Sequence, residues 1–172
     1  MKRNQKGFTL VELLAVIVIL AVIILIAVNA VLPQMRKARK NSFIDEVINF
    51  GKAAETKYVA DSLNQTSSGS AVKCYNLSDL KGTYVAKNDE NYVGSVVLII
   101  DGDTITKKVT MTDKNNFYVE NVVPNKSDIT VKDYSQTAWE ALGNSVLTGT
   151  GDEIKAGIAC PSTTTNNSEN NS

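Results

Sequence analysis

Gly7-Phe8-Thr9-Leu10-Val11-Glu12 is the stretch whose reading decides the fold. On its amino-terminal side stands a short basic leader with Lys2, Arg3 and Lys6. On its carboxyl side an apolar run rich in Val, Ile, Leu and Ala continues to Leu32, and Glu12 is the only charge in it. A secretory h-region spans about 7–15 residues, so the run is too long for one. A membrane-spanning helix needs roughly 20 apolar residues, which fits. A carboxylate near a bilayer centre costs roughly 2.5 kcal/mol or more, which marks Glu12 as functional rather than incidental.

The run has no small-residue cleavage site at its far end. The site that looks cleavable is at Gly7, before the run. Lys6-Gly7-Phe8-Thr9-Leu10-Val11-Glu12-Leu13-Leu14 and the Ile/Val/Ala stretch after it resemble the class III signal of type IV pilins and pseudopilins. The resemblance covers about the first fifth of the chain. It implies that a prepilin peptidase cuts after Gly7 on the cytoplasmic side and methylates the new amino-terminal Phe8. It also implies a register role in assembly for Glu12, with Thr9 beside it. In a filament, the Glu12 carboxylate of one subunit would meet the cationic amino terminus of a neighbour. Pairing is favoured there because an isolated charge in hydrocarbon is costly. The plainer alternative is a carboxyl group that stays neutral or snorkels to the interface.

Many members of the family carry a proline deeper in the apolar helix, where this chain has Asn29. Here Pro33 is the nearest proline. Proline removes a helical hydrogen bond and clashes with the preceding turn, so a break or kink is expected between Asn29 and Pro33.

Charge alone leaves topology undecided. Three basic residues precede the span, and Arg36, Lys37, Arg39 and Lys40 follow it. The resemblance implies leader inside and head outside: a single-pass precursor in the cell membrane, then an extracellular filament. The basic cluster reads as a solvated helix face, with DNA binding as the sharper alternative. The 172-residue chain has formal charge zero, so losing Lys2, Arg3 and Lys6 leaves −3, and no specific nucleic-acid partner is expected.

The chain has no histidine. That excludes Ser-His-Asp and Cys-His catalysis and histidine metal sites. No catalytic residue, cofactor or metal is expected. Asp101, Asp103 and Asp113 do not have EF-hand spacing, and turn chemistry accounts for them. Cys74 and Cys160 are the only cysteines, and no C-x-x-C occurs. In an exported domain they read as one disulfide closing a long loop, against two separate thiols.

Past Pro33, Met35, Ala38, Ile44, Val47, Ile48, Gly51, Ala54 and Tyr58 recur at spacings of three and four. That is an amphipathic helix with one apolar stripe, which should pack on a sheet. Residues 64–70 are a polar breaker. A short turn is expected at Leu77-Ser78-Asp79-Leu80. Residues 92–101, 104–111 and 117–122 then read as strands of an antiparallel meander, with turns at 101–103 and 113–116. Residues 83–86 are expected to add an edge, 129–134 another strand, and 137–147 a short helix.

The expected organisation is a leader at 1–7, a hydrophobic helix at 8–33, an amphipathic helix at 34–63, a head at 64–160 and a flexible tail at 161–172. The fold class is α+β, a long helix laid on a small antiparallel sheet, as in the pilin family. The sheet segment resembles pilins of Gram-positive bacteria. The implied function is a structural subunit of a type IV pilus, serving adhesion, motility or biofilm formation. The alternative is a pseudopilin of a type II secretion or competence machine. Implied partners are copies of the chain, other pilins, the prepilin peptidase, and the assembly platform protein with its ATPase.

Overall fold

A computed structural model describes residues 8–63, 71–85, 91–125, 127–148 and 153–161. The leader, the polar breaker at 64–70 and the tail beyond Pro161 lie outside the described residues, as does Ala86 of the expected edge. The chain divides into two compact units at Asn41 and Ser42. One helix, α1 (Leu10–Ser62), contributes to both.

In the first unit, α1 runs through Pro33 without interruption. Of the break or kink expected here, the break is absent. Proline removes the one N–H that would reach the carbonyl of Asn29 and crowds that carbonyl, yet the helix continues on both sides. Asn29 turns its amide inward, Nδ2 donating to the Leu25 carbonyl at 3.4 Å.

In the second unit, the later part of α1 covers one face of a five-stranded antiparallel sheet. The strands are β1 (Ala71–Asn76), β2 (Val93–Asp101), β3 (Thr104–Thr112), β4 (Phe117–Val122) and β5 (Lys132–Asp133), in spatial order β1-β2-β3-β4-β5. A single helical turn, α2 (Leu77–Leu80), follows β1, and α3 (Gln136–Glu140) follows β5.

The period-two pattern sorts side chains to two faces. Val96, Leu98 and Ile100 of β2, with Val109 and Met111 of β3, meet Phe43, Val47, Phe50 and Ala54 of α1. Phe43 and Phe50, absent from the expected stripe, are central to this core. Phe43 stacks at a tilt on Tyr92 and Phe117, and Phe50 meets Tyr92 edge-on. Lys107 of β3 ties the sheet to the helix, its Nζ donating to Glu55 Oε2 at 2.5 Å.

Three expectations shift. The edge strand is β1, and at 83–85, the described part of the expected edge, the pairing is an isolated bridge between Lys81 and Val85. β1 pairs with the β2 strand through its whole length, and that partner decides its conformation. The strand expected at 129–134 is reduced to β5, because Ile129 is drawn into the core instead. The helix expected at 137–147 ends at Glu140, and Gly143 with φ +66° turns the chain away.

Candidate functional site

Thr9-Leu10-Val11-Glu12 forms a reciprocal cap at the start of α1. Glu12 Oε2 accepts from the backbone N–H of Thr9 at 2.9 Å and from its hydroxyl at 2.9 Å. The Glu12 N–H donates to Thr9 Oγ1 at 3.3 Å. This is the S/T-x-x-E capping box, which satisfies donors that a helix start otherwise leaves unpaired. Both partners lie after Gly7, so the box survives a cut there. The T-x-x-E pattern at the start of an apolar run is the sequence signal for this cap. Gly7 itself lies outside the described residues.

Beyond the box, every large apolar side chain from residue 10 to residue 32 is at least 46% exposed. The segment is long and apolar enough to cross a membrane, and none of its most apolar window is buried. Its length at 1.5 Å per residue is about 33 Å, close to the roughly 30 Å of a bilayer's hydrocarbon. Phe8 is likewise exposed. This segment therefore presents one carboxylate, fixed by its cap, on a surface that is otherwise hydrocarbon except for the Asn29 amide.

The second constellation lies on the face of the sheet turned away from α1. Cys74 and Cys160 form a disulfide with Cα atoms 5.7 Å apart. The chain before Cys160 folds back on itself as a strap, Val146 pairing with Lys155 and Ser145 donating to the Ala159 carbonyl. Ile154 and Ala156 of the strap pack with Val97.

Polar side chains of the sheet hold this strap. Ser95 donates to the Gly157 carbonyl at 2.8 Å and pairs with the Ser145 hydroxyl at 2.7 Å. Thr110 donates to the Ala156 carbonyl at 2.7 Å, and Lys108 Nζ to that of Ile154 at 2.8 Å. Ala156 N–H returns a bond to Asn121 Oδ1 at 2.9 Å. Asn121 sits at φ +48° where the β3–β4 register shifts, a bulge that aims its side chain at the strap. At Gly157 a Cβ would fall 2.4 Å from the Gly143 carbonyl oxygen, so only glycine fits the crossing. No sequence pattern marks Asn121 or Ser95 for this task, since their partners are far along the chain.

Asp113 closes the β3–β4 turn. Its Oδ1 accepts from the backbone N–H groups of Asn115, Asn116 and Phe117 at 3.0, 2.7 and 3.0 Å. Burial works against its charge, yet these donors together outweigh it and hold the carboxyl below its ordinary range. Turn chemistry thus occupies this carboxylate. Near the end of α1, burial first and then the Asp61 carboxylate push the Tyr75 hydroxyl up to about 12.

A family model described as the prokaryotic N-terminal methylation motif matches residues 2–28. No curated protein and no solved structure matches the chain. The matched stretch contains the leader, the capping box and most of the exposed apolar helix. Residues 2–28 thus carry a prokaryotic N-terminal methylation motif, of the kind found in class III signal peptides, ahead of an α+β fold in which a long helix accompanies a small antiparallel sheet.

Proposed function

We propose that this chain is a structural subunit of a type IV pilus. A prepilin peptidase cuts it after Gly7 and methylates Phe8. Residues 8–33 then hold it in the cell membrane with the head outside. The platform protein and ATPase of the assembly machine draw it into a filament of copies of itself and other pilins.

The observation that supports this reading best is the apolar surface of residues 10–32, exposed on all sides with Glu12 as its one charge. Such a surface needs lipid or like helices to cover it. Glu12 offers a fixed anionic point to the free amine that cutting creates on Phe8. The head has the opposite character, with most of its large apolar residues buried and the segment before Cys160 clamped. That suits display outside the cell.

Mass spectrometry of the native protein tests the first half of the proposal. A chain beginning at methylated Phe8 is expected, and Gly7→Val should leave full-length precursor in the membrane. Normal processing of Gly7→Val would refute the cleavage site. Sheared surface filaments test the second half, and they should contain this protein. Processed protein that never leaves the envelope would point to a pseudopilin instead.

A further inference from the structure

Arg36, Lys37, Arg39 and Lys40 stand on α1 just beyond the apolar segment, and all four are exposed. Between Glu12 and Asp45 the chain has no acidic residue, so these are the only charges along that stretch. At 100° per residue the four fall within about 160° of the helix circumference. They begin about 6 Å and end about 12 Å past Leu32 along the axis.

This placement fits one layer of a bilayer. Residues 10–32 fill the hydrocarbon over about 33 Å, and the headgroup layers add roughly 5–8 Å on each side. The four side chains therefore begin in the headgroup layer on the side away from the leader. Their long stems let the more distant charges lean back toward it. Their chemistry matches lipid phosphate: two forked guanidinium groups that grip phosphate bidentately, and two compact ammonium groups. Their position is also the reverse of what charge-based topology prefers, since positive residues usually stay inside. A specific attraction on the far side gives the cluster a use there.

We infer that this cluster binds the phosphates of anionic phospholipids in the leaflet on the side away from the leader, holding an anionic lipid shell around the subunit before assembly. The inference rests on residues 10–32 spanning the membrane. Basic residues near an anionic surface each contribute roughly 1 kcal/mol, or about a fivefold bias toward anionic lipid. Exposed charges are screened by salt, so the bias should weaken as ionic strength rises.

The test uses the full chain reconstituted into vesicles of mixed phosphatidylglycerol and phosphatidylcholine. Resistance to alkaline extraction first shows that the chain is inserted. Failure at this step would overturn the spanning reading itself. Spin-labelled lipids then report which headgroup is enriched in the first shell. Enrichment of phosphatidylglycerol is expected in the wild type and should fall with added salt. The combined variant Arg36→Gln, Lys37→Gln, Arg39→Gln and Lys40→Gln should insert but lose the enrichment. Arg36→Lys with Arg39→Lys should keep most of it.

An inserted wild type without enrichment, or equal enrichment in the neutral variant, would overturn the inference. So would a neutral variant that keeps its lipid shell and loses filaments, because the cluster would then serve acidic groups of neighbouring subunits. Binding of duplex DNA with no lipid preference would assign the cluster to nucleic acid instead.

Discussion

Val18 and Val47 are the same side chain on the same helix. Val18 is 55% exposed, whereas Val47 is wholly buried between α1 and the sheet. The first lies in a unit whose apolar surface is uncovered, the second in a unit that covers its own. Each exposed valine or leucine forgoes roughly 1.5–3 kcal/mol of burial. Repeated along residues 10–32, that makes the first unit unsuited to water and dependent on lipid or on other helices. The head has less need of such a partner, because α1, the sheet and the strap bury most of its large apolar residues. One helix therefore serves two purposes, and composition changes between them near the basic cluster.

The contrast is sharpest at Glu12. In the proposed filament, Glu12→Ala should abolish or greatly reduce assembly while leaving cleavage intact, so processed subunits accumulate in the membrane. That variant also removes the carboxylate half of the capping box, while Thr9 Oγ1 still accepts the backbone N–H of residue 12. Glu12→Gln separates the two effects, because glutamine keeps the box but not the charge. Electron microscopy of cells should show filaments lost in both variants. Abundant filaments from Glu12→Gln would show that the cap, and not the charge, is what assembly needs.

In the head, the largest expected effect is loss of the Cys74–Cys160 bridge, which closes a sequence separation of 86. Loop-closure entropy gives about 4–5 kcal/mol as an upper guide. Reduction, or Cys74→Ser with Cys160→Ser, should lower the unfolding midpoint strongly and free the strap to exchange its amide hydrogens. Unchanged protection at Ala156 and Gly157 would mean that the polar ladder holds the strap alone. Phe50→Ala should cost about 3–5 kcal/mol in denaturant unfolding of the head. It should leave cleavage at Gly7 untouched, since the motif lies in the other unit.

The smallest effect concerns Asp113. Its folded-state value lies below the unfolded value of about 3.9. Its stabilisation is therefore complete above that pH and is lost as pH falls through the folded value. Solvent screening keeps the contribution under about 1 kcal/mol. Asp113→Asn should flatten the acid limb of the stability curve below about pH 4, measured by circular dichroism.

Much of this arrangement can be read directly from the chain. The apolar run, its single carboxylate and the Gly7-Phe8 junction are local patterns, and local patterns need no partner to be recognised. The three central strands follow from period-two alternation between turn residues, which is local as well. The α+β class follows from a long helical period succeeded by that alternation.

Other features were settled only when distant segments met. β1 is too short and mixed to announce itself, and β2 gives it a strand conformation. Ile129 leaves its expected strand because a core position was open to it. The strap is the clearest case. Ser95, Lys108, Thr110 and Asn121 look like ordinary strand residues, and their roles appear only where Cys160 brings the end of the chain across them. Periodicity records what a segment does with its own backbone, whereas a buried polar bond between residues far apart in the chain is fixed by packing.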